Sequence, residues 1–328
     1  MILENIELIT FDVFGTILDW RVLVDRLAPG RFPEFLGSCE AIQRGPAPIF
    51  PYRSLVQQVL QAMGAGSSDA IRTVSQRFGT ATPFQDFGAL TLLRDRFFLG
   101  CISNSDHMHQ TDVQRSLGFP WDITIVAEDL LAYKPAQSVW QCAAEAIERE
   151  LGVKKSAWLH ISAFEDYDLR PAQKAGIKTC FLPRPGGTPA SDLETSPWMI
   201  ASDLYDASNQ LFTKCGEPVT YDVTVEMLGE TTVSRYIAWI RYEHGADLLA
   251  IRGCHRFQIT SEPNSEGAYV VKCQYIFKTM HHLEHYLSHH APRLRQRSLE
   301  FFSEDNLKYS RGRGALRAVV HNRQPGGF

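Results

Sequence analysis

Residues 7–16 read ELITFDVFGT, and this stretch decides the fold. An apolar run is closed by Asp12, Gly15 lets the chain turn sharply past it, and the Thr16 hydroxyl can hydrogen-bond the carboxylate or a substrate oxyanion. A carboxylate at the end of a buried strand is placed for in-line nucleophilic attack. The plain alternative is a strand that ends in an Asp turn.

Four further short apolar runs follow, at 97–103, 123–127, 158–163 and 178–182, with helical patterns over 108–117, 137–151 and 168–175 between them. Strands alternating with helices of this length predict a parallel sheet buried on both faces. Ligands in such sheets bind just beyond the carboxyl ends of the strands. Polar residues stand at those ends: Ser103 and Asn104 as donors, Lys134 as a cation that keeps a buried carboxylate ionised, and Asp168 to orient water, bind a cation or hold Lys134. Taken singly, each also reads as a turn, an exposed lysine or a helix cap. Residues 18–90 are too long for a simple crossover. Helical periodicity over 52–63 and 69–78 makes them a helical cap. Within it Arg21, Arg44 and Arg53 can pair a substrate carboxylate or simply face solvent.

FDVFGT, SNS, AYKP and SAFEDYDLRPA, in that order, resemble the four signatures of the haloacid dehalogenase (HAD) superfamily. The longer phrases FDVFGTILDWR, CISNSD and AEDLLAYKPA are similar to its type II 2-haloacid dehalogenase branch. The resemblance spans about residues 5–185 and implies Asp12 as a nucleophile forming an aspartyl ester. It further implies that Thr16, Ser103 and Asn104 cradle substrate or carboxylate, with Lys134 as the cation and Asp168 as the acid of the last signature. Phosphatases of the superfamily carry a second Asp two positions after the nucleophile as general acid; here Phe14 stands there and cannot transfer a proton. Halide leaves without protonation, so Phe14 fits a substrate-binding wall in dehalogenase-like chemistry. Phe164, Glu165 and Asp166 occupy the stretch where the dehalogenase branch has a small polar pair that places water.

The chain has 328 residues, enough for about two domains, with ordinary apolar content of 44% and charge of 21%. A net charge of −4 gives no electrostatic reason to expect nucleic acid or an anionic membrane as partner. Seven dispersed cysteines without a CxxC pair read as reduced thiols, and no stretch reaches the ~20 apolar residues of a membrane span. The start carries acids where a signal peptide carries bases, so a cytoplasmic protein is the expectation. After Arg184 the composition turns to Pro, Gly and Ser, as in a linker. A new pattern begins near 216: strand 219–228, helix 233–249, strands 256–261 and 268–277, helix 280–302, strand 307–319. The order β-α-β-β-α-β is ferredoxin-like. YDVTVEM, WIRYEHGADLLAIRGCHRFQI and YLSHHAPRLRQRSLEFF are similar to a small ferredoxin-like family of unknown function that resembles dimeric αβ-barrel proteins. His281, His285 and His289 share a helical face but lack a visible fourth ligand, so they read as a solvated surface.

The expected architecture is thus a Rossmann-like α/β core (residues 1–17 and 91–212), a cap (18–90) and an α+β ferredoxin-like domain (217–320) that pairs in a homodimer. The expected function is hydrolysis of a small organic acid through an Asp12 ester, dehalogenase-like and without cofactor. Two alternatives stay open. One is a phosphate-ester hydrolase with Mg²⁺ held by Asp12, the Phe14 carbonyl and Asp168; the other is an accessory or binding protein with a weakened site.

Overall fold

The computed structural model describes residues 4–46, 48–264, 267–302 and 307–316. The chain divides into two compact units: residues 1–90 with 97–211, and residues 91–96 with 212–328.

In the first unit six strands form one parallel sheet: β1 (Leu8–Phe11), β2 (Phe98–Ser103), β3 (Ile123–Val126), β4 (Trp158–Ser162), β5 (Lys178–Phe181) and β6 (Met199–Ile200). Their spatial order is β3-β2-β1-β4-β5-β6. The five apolar runs all become strands because both faces of a parallel sheet are covered and polar positions are confined to the strand ends. Every residue of β1 is buried. The helix Gln137–Leu151 lays Val139, Trp140, Ala143 and Ile147 on one sheet face against Leu8, Ile102, Ile125 and Trp158. It stops at Gly152, whose φ of 63° ends the helix in the left-handed conformation. The helix His107–Leu117 starts at Asp106, whose carboxylate accepts from the His109 amide at 3.0 Å. The sixth strand has no counterpart in the sequence reading, because two residues carry no periodicity.

The insertion between β1 and β2 is helical, with Phe32–Gln43, Tyr52–Ala62 and Ser68–Gln76. It closes over the strand ends through an aromatic cluster. The Phe14 ring lies 5.8 Å from Trp20, 6.3 Å from Tyr52, 5.6 Å from Phe78 and 6.0 Å from His109. Such contacts contribute beyond area burial and fix the cap's seat.

The second unit has four antiparallel strands: β7 (Val219–Leu228), β8 (Cys254–Pro263), β9 (Ala268–Phe277) and β10 (Leu307–Ala315). The order β8-β9-β7-β10 is the ferredoxin-like one. The strand expected over 307–319 ends at Ala315, and residues 317–319 lie outside the described ones. The long helix expected over 280–302 is two, Met280–His289 and Ala291–Phe301, broken just before Pro292, which cannot continue a helix. Val219, Tyr221, Val225 and Met227 of β7 and Val271, Cys273 and Tyr275 of β9 face the helices and form this unit's core. The alternate residues Thr220, Asp222, Thr224 and Glu226, with Lys272 and Gln274, make much of the opposite face polar, and Leu228, Val270 and Ile276 add apolar positions to it.

Residues 91–96 group with the second unit for visible reasons. The Arg96 guanidinium donates to the Cys215 and Gly216 carbonyls at 2.7 and 3.1 Å, Arg256 pairs with Asp95 at 2.8 Å, and the Lys278 ammonium reaches the Arg94 carbonyl at 2.7 Å.

Candidate active site

Asp12 follows β1 directly and is buried. Gly15 carries the turn with φ of +86°, and a Cβ there would stand 2.7 Å from the Phe164 ring, so both conformation and space require glycine. The turn returns Thr16 to the carboxylate. Its hydroxyl donates to Asp12 Oδ2 at 2.9 Å and accepts from the Ala163 amide at 3.0 Å. Thr16 therefore fixes the nucleophile from behind and has no donor left for substrate.

Lys134 arrives on the loop after β3, fully buried. Its ammonium donates to Asp12 Oδ1 at 2.9 Å, to Asp168 Oδ2 at 2.8 Å and to the Ile102 carbonyl at 2.9 Å, which uses all three protons. Asn104 clamps the backbone of this residue: its Oδ1 accepts from the Lys134 amide at 2.7 Å and its Nδ2 donates to the Lys134 carbonyl at 3.1 Å. Asp168 sits in a π-helical turn, Glu165–Leu169, a distortion frequent at functional sites. Besides Lys134 it takes the Ser162 hydroxyl at 2.8 Å and His160 Nε2 at 2.9 Å.

His160 is a site residue the sequence reading missed. It continues the chain inward to Thr10, whose hydroxyl lies 2.8 Å from Nδ1 and itself accepts from the Trp158 indole at 2.7 Å. Nε2–H donates to Asp168, and Nδ1 shares a hydrogen bond with the Thr10 hydroxyl. A signal was present: Thr10 and His160 are polar residues inside apolar runs, and the strand register sets them opposite each other.

The two carboxylates on Lys134 differ. Burial lifts the Asp12 carboxyl above the ordinary range and the Asp168 charge adds to this, against the pull of Lys134 and Thr16. Burial also acts on Asp168, but Lys134 and His160 outweigh it and hold that group below the ordinary range. For Lys134 burial favours the neutral amine, and the two aspartates overcome it, so the lysine stays charged.

A narrow cleft of about 20 Å³ opens on Asp12, room for little more than one water molecule. Phe14, Ser103 and Asn104 line it with Trp20, Cys39, Glu40, Gln43, Tyr52 and Tyr167. The Ser103 hydroxyl is buried and has no hydrogen-bond partner among the described residues, which leaves it for a ligand. Thr16, Lys134 and Asp168 stand behind Asp12 and do not border the cleft. The arginines depart from expectation. Arg21 makes a two-pronged pair with Asp19 at 2.8 Å, Arg53 pairs with Asp106 at 3.2 Å, and neither they nor Arg44 lines the cleft. The helix Phe32–Gln43 presents Glu40 and Gln43 there instead. Burial raises the Glu40 carboxyl above its ordinary value. Glu165 turns away to accept from the Glu194 and Thr195 amides, and Asp166 is exposed beside Arg170.

Among the described residues no three His, Cys, Asp or Glu side chains are grouped to hold a metal ion, and no helix is long and apolar enough to cross a membrane. The histidines of the helix Met280–His289 thus form no such group.

Comparison with known proteins gives each unit its likeness. Residues 219–312 match a family described as a domain of unknown function, DUF4286. No curated protein sequence matches the chain. An L-2-haloacid dehalogenase structure is 27% identical, covering 63% of this chain and 99% of its own, with a TM-score of 0.54. A defluorinating L-2-haloacid dehalogenase is 25% identical over 63% of this chain and 95% of its own, with a TM-score of 0.53. The L-2-haloacid dehalogenase of Xanthobacter autotrophicus, at 19% identity, 63% and 98% coverage and a TM-score of 0.51, shares the fold. The chain therefore joins a first unit with the fold of HAD-type hydrolases to a second unit that matches a domain of unknown function.

Proposed function

We propose that the first unit is a hydrolase that works through an ester on Asp12, dehalogenase-like, without a metal ion. The observation that carries this reading is the Lys134 ammonium shared between Asp12 and Asp168 at 2.9 and 2.8 Å behind a cleft walled by Phe14. A carboxylate oxygen of Asp12 attacks the carbon bearing the halogen, and the C–halogen electron pair leaves with the halide, for which no proton donor is needed. Water then attacks the ester carbonyl carbon. The alcohol oxygen of the product departs and takes a proton, and Asp12 is restored. Glu40 is the carboxylate in the cleft, other than the nucleophile, that can take the proton from water, and its raised affinity for a proton suits a general base. The likeness to haloacid dehalogenases at 27% and 25% identity supports the same chemistry.

The Mg²⁺ alternative fits this donor set poorly. Both carboxylates it needs are bonded to Lys134, and Phe14 supplies no acid for an alcohol leaving group. The substrate's own charge is a separate question. With Glu40 and Gln43 where arginines were expected, a substrate carboxylate would be met by the Ser103 hydroxyl and the Gln43 amide, whereas Glu40 favours a neutral group. The cleft is too small for either unless the cap lifts, as closing lids do.

The test is a panel of 2-haloacids, 2-haloamides and phosphate monoesters, each with and without EDTA. Halide release that ignores EDTA and disappears in Asp12→Asn is expected. Phosphate release that EDTA abolishes would overturn the reading, and silence throughout would leave the accessory role.

A further inference from the structure

The second unit has its own open pocket, of about 250 Å³, between the inner sheet face and the helices. Its walls are aromatic: Tyr221 and Tyr275 from the strands, Tyr236, Trp239 and Tyr286 from the helices. Among the described residues three buried polar atoms of the lining have no hydrogen-bond partner, the Trp239 indole N–H, His244 Nδ1 and the Tyr309 hydroxyl, and Trp239 is only 6% exposed. A buried donor left unpaired in a folded protein asks for an explanation, and a ligand is one. Burial pushes His244 down to about 4, so its ring is neutral and can donate or accept.

The chain keeps Trp239 and His244 in place at some cost. The helix Glu230–Trp239 widens into a π-helical turn over Ile240–His244, which stacks the His244 ring on Trp239 at 4.8 Å. Gly245 follows, and a Cβ there would come within 2.3 Å of the Phe257 ring, so no other residue fits without moving β8.

The charge at this cavity has one sign. Arg295 and Arg311 line it and no Asp or Glu does. Arg295 donates to the Tyr221 hydroxyl at 3.3 Å, and the Arg311 guanidinium lies 5.0 Å from the Tyr309 ring centroid. Neither is paired with a carboxylate among the described residues. Guanidinium groups over aromatic walls suit a planar anion: the ring stacks, and the fork of N–H donors takes its oxygens. The cavity is slightly below the roughly 300–1,000 Å³ of drug-sized sites. One or two fused rings fill it.

We propose that the second unit binds a small aromatic carboxylate in this cavity, the ring between Trp239 and the tyrosines and the carboxylate on Arg295 and Arg311. The site is independent of Asp12 and needs no chemistry.

The full-length chain, labelled with ¹⁵N, is titrated with 4-hydroxybenzoate and indole-3-acetate, with benzamide as a ring without charge and acetate as a charge without a ring. The Trp239 indole signal is assigned by its loss in Trp239→Phe. The proposal expects that signal to move saturably with at least one aromatic acid at millimolar concentration or below, and with neither control. Arg311→Gln, at an exposed position, should weaken that binding about tenfold, the effect of one charge-assisted hydrogen bond. An unmoved Trp239 signal with both acids overturns the proposal. So does benzamide or acetate binding as tightly as the acids, or Arg311→Gln binding as well as the parent chain.

Discussion

Two aspartates share one ammonium group, and their opposite shifts make them behave as opposites. Asp12 has a folded pKa above its unfolded value of about 4, so its contribution to folding is present below that value and is lost as pH rises through the folded one. Ionising Asp12 in the folded chain therefore opposes folding. Asp168 has a folded pKa below its unfolded value, so its contribution is present at neutral pH and is lost as pH falls through the folded one. Thermal melts at pH 7 should therefore show Asp12→Asn as stable as the parent or more so. Asp168→Asn should lose about 3–5 kcal/mol, as when one partner of a buried pair is removed. Equal losses in both would refute the asymmetry. Glu40 has its own signature. If it activates water, Glu40→Gln should release one equivalent of halide per chain and then stop with the ester intact; turnover near the parent rate would remove it from the mechanism. Asp12, Lys134 and Asp168 were legible in the sequence because each follows a buried strand in a fixed order. Glu40 and Gln43 were not, because a cap helix offers no rule for which side chain turns inward.

At the level of elements, the strands were the most legible part and the cap the least. Residues 97–103 and 158–163 shrink by one residue at one end, to Phe98–Ser103 and Trp158–Ser162, since apolar runs overshoot into the turns that bury them. The helix Phe32–Gln43, which carries Glu40, has no clean 3.6-residue stripe, so periodicity passed over it. Residues 168–175 were read as one helix; the structure begins earlier with the π-helical turn Glu165–Leu169 and continues as Arg170–Lys174. That turn aims Asp168 at Lys134 and brings the Phe164 ring under Gly15. Gly15→Ala sets a Cβ against this ring at positive φ and should destabilise by about 1–3 kcal/mol in denaturant melts, with activity falling as Thr16 shifts. A neutral result would mean that the turn after β1 is not held as described.

For the whole molecule, the boundary is more tangled than the composition change near 185–216 suggests. Asp95 and Arg96 are buried through partners at Arg256, Cys215 and Gly216, so a chain cut near 212 would strand two charges that the full chain satisfies. Sequence could not reveal this, because ALTLLRDR reads as an ordinary amphipathic helix. A homodimer through the second unit remains our proposal, and with Asp222, Glu226 and Lys272 on the sheet face away from the helices a pairing through that face would be partly electrostatic. Light scattering on the full chain should then show a dimer at low salt that dissociates as salt rises, within the screening expected for exposed charges. A monomer at every salt and protein concentration would end it. The central claim, an ester on Asp12, is tested most directly by a single turnover in H₂¹⁸O with enzyme in excess over whichever haloacid or haloamide the panel identifies. The ester mechanism predicts that the first product carries ordinary oxygen taken from Asp12, while the peptide containing Asp12 gains ¹⁸O. Label in the first product, with none in that peptide, would mean that water attacks the substrate directly and would contradict the account.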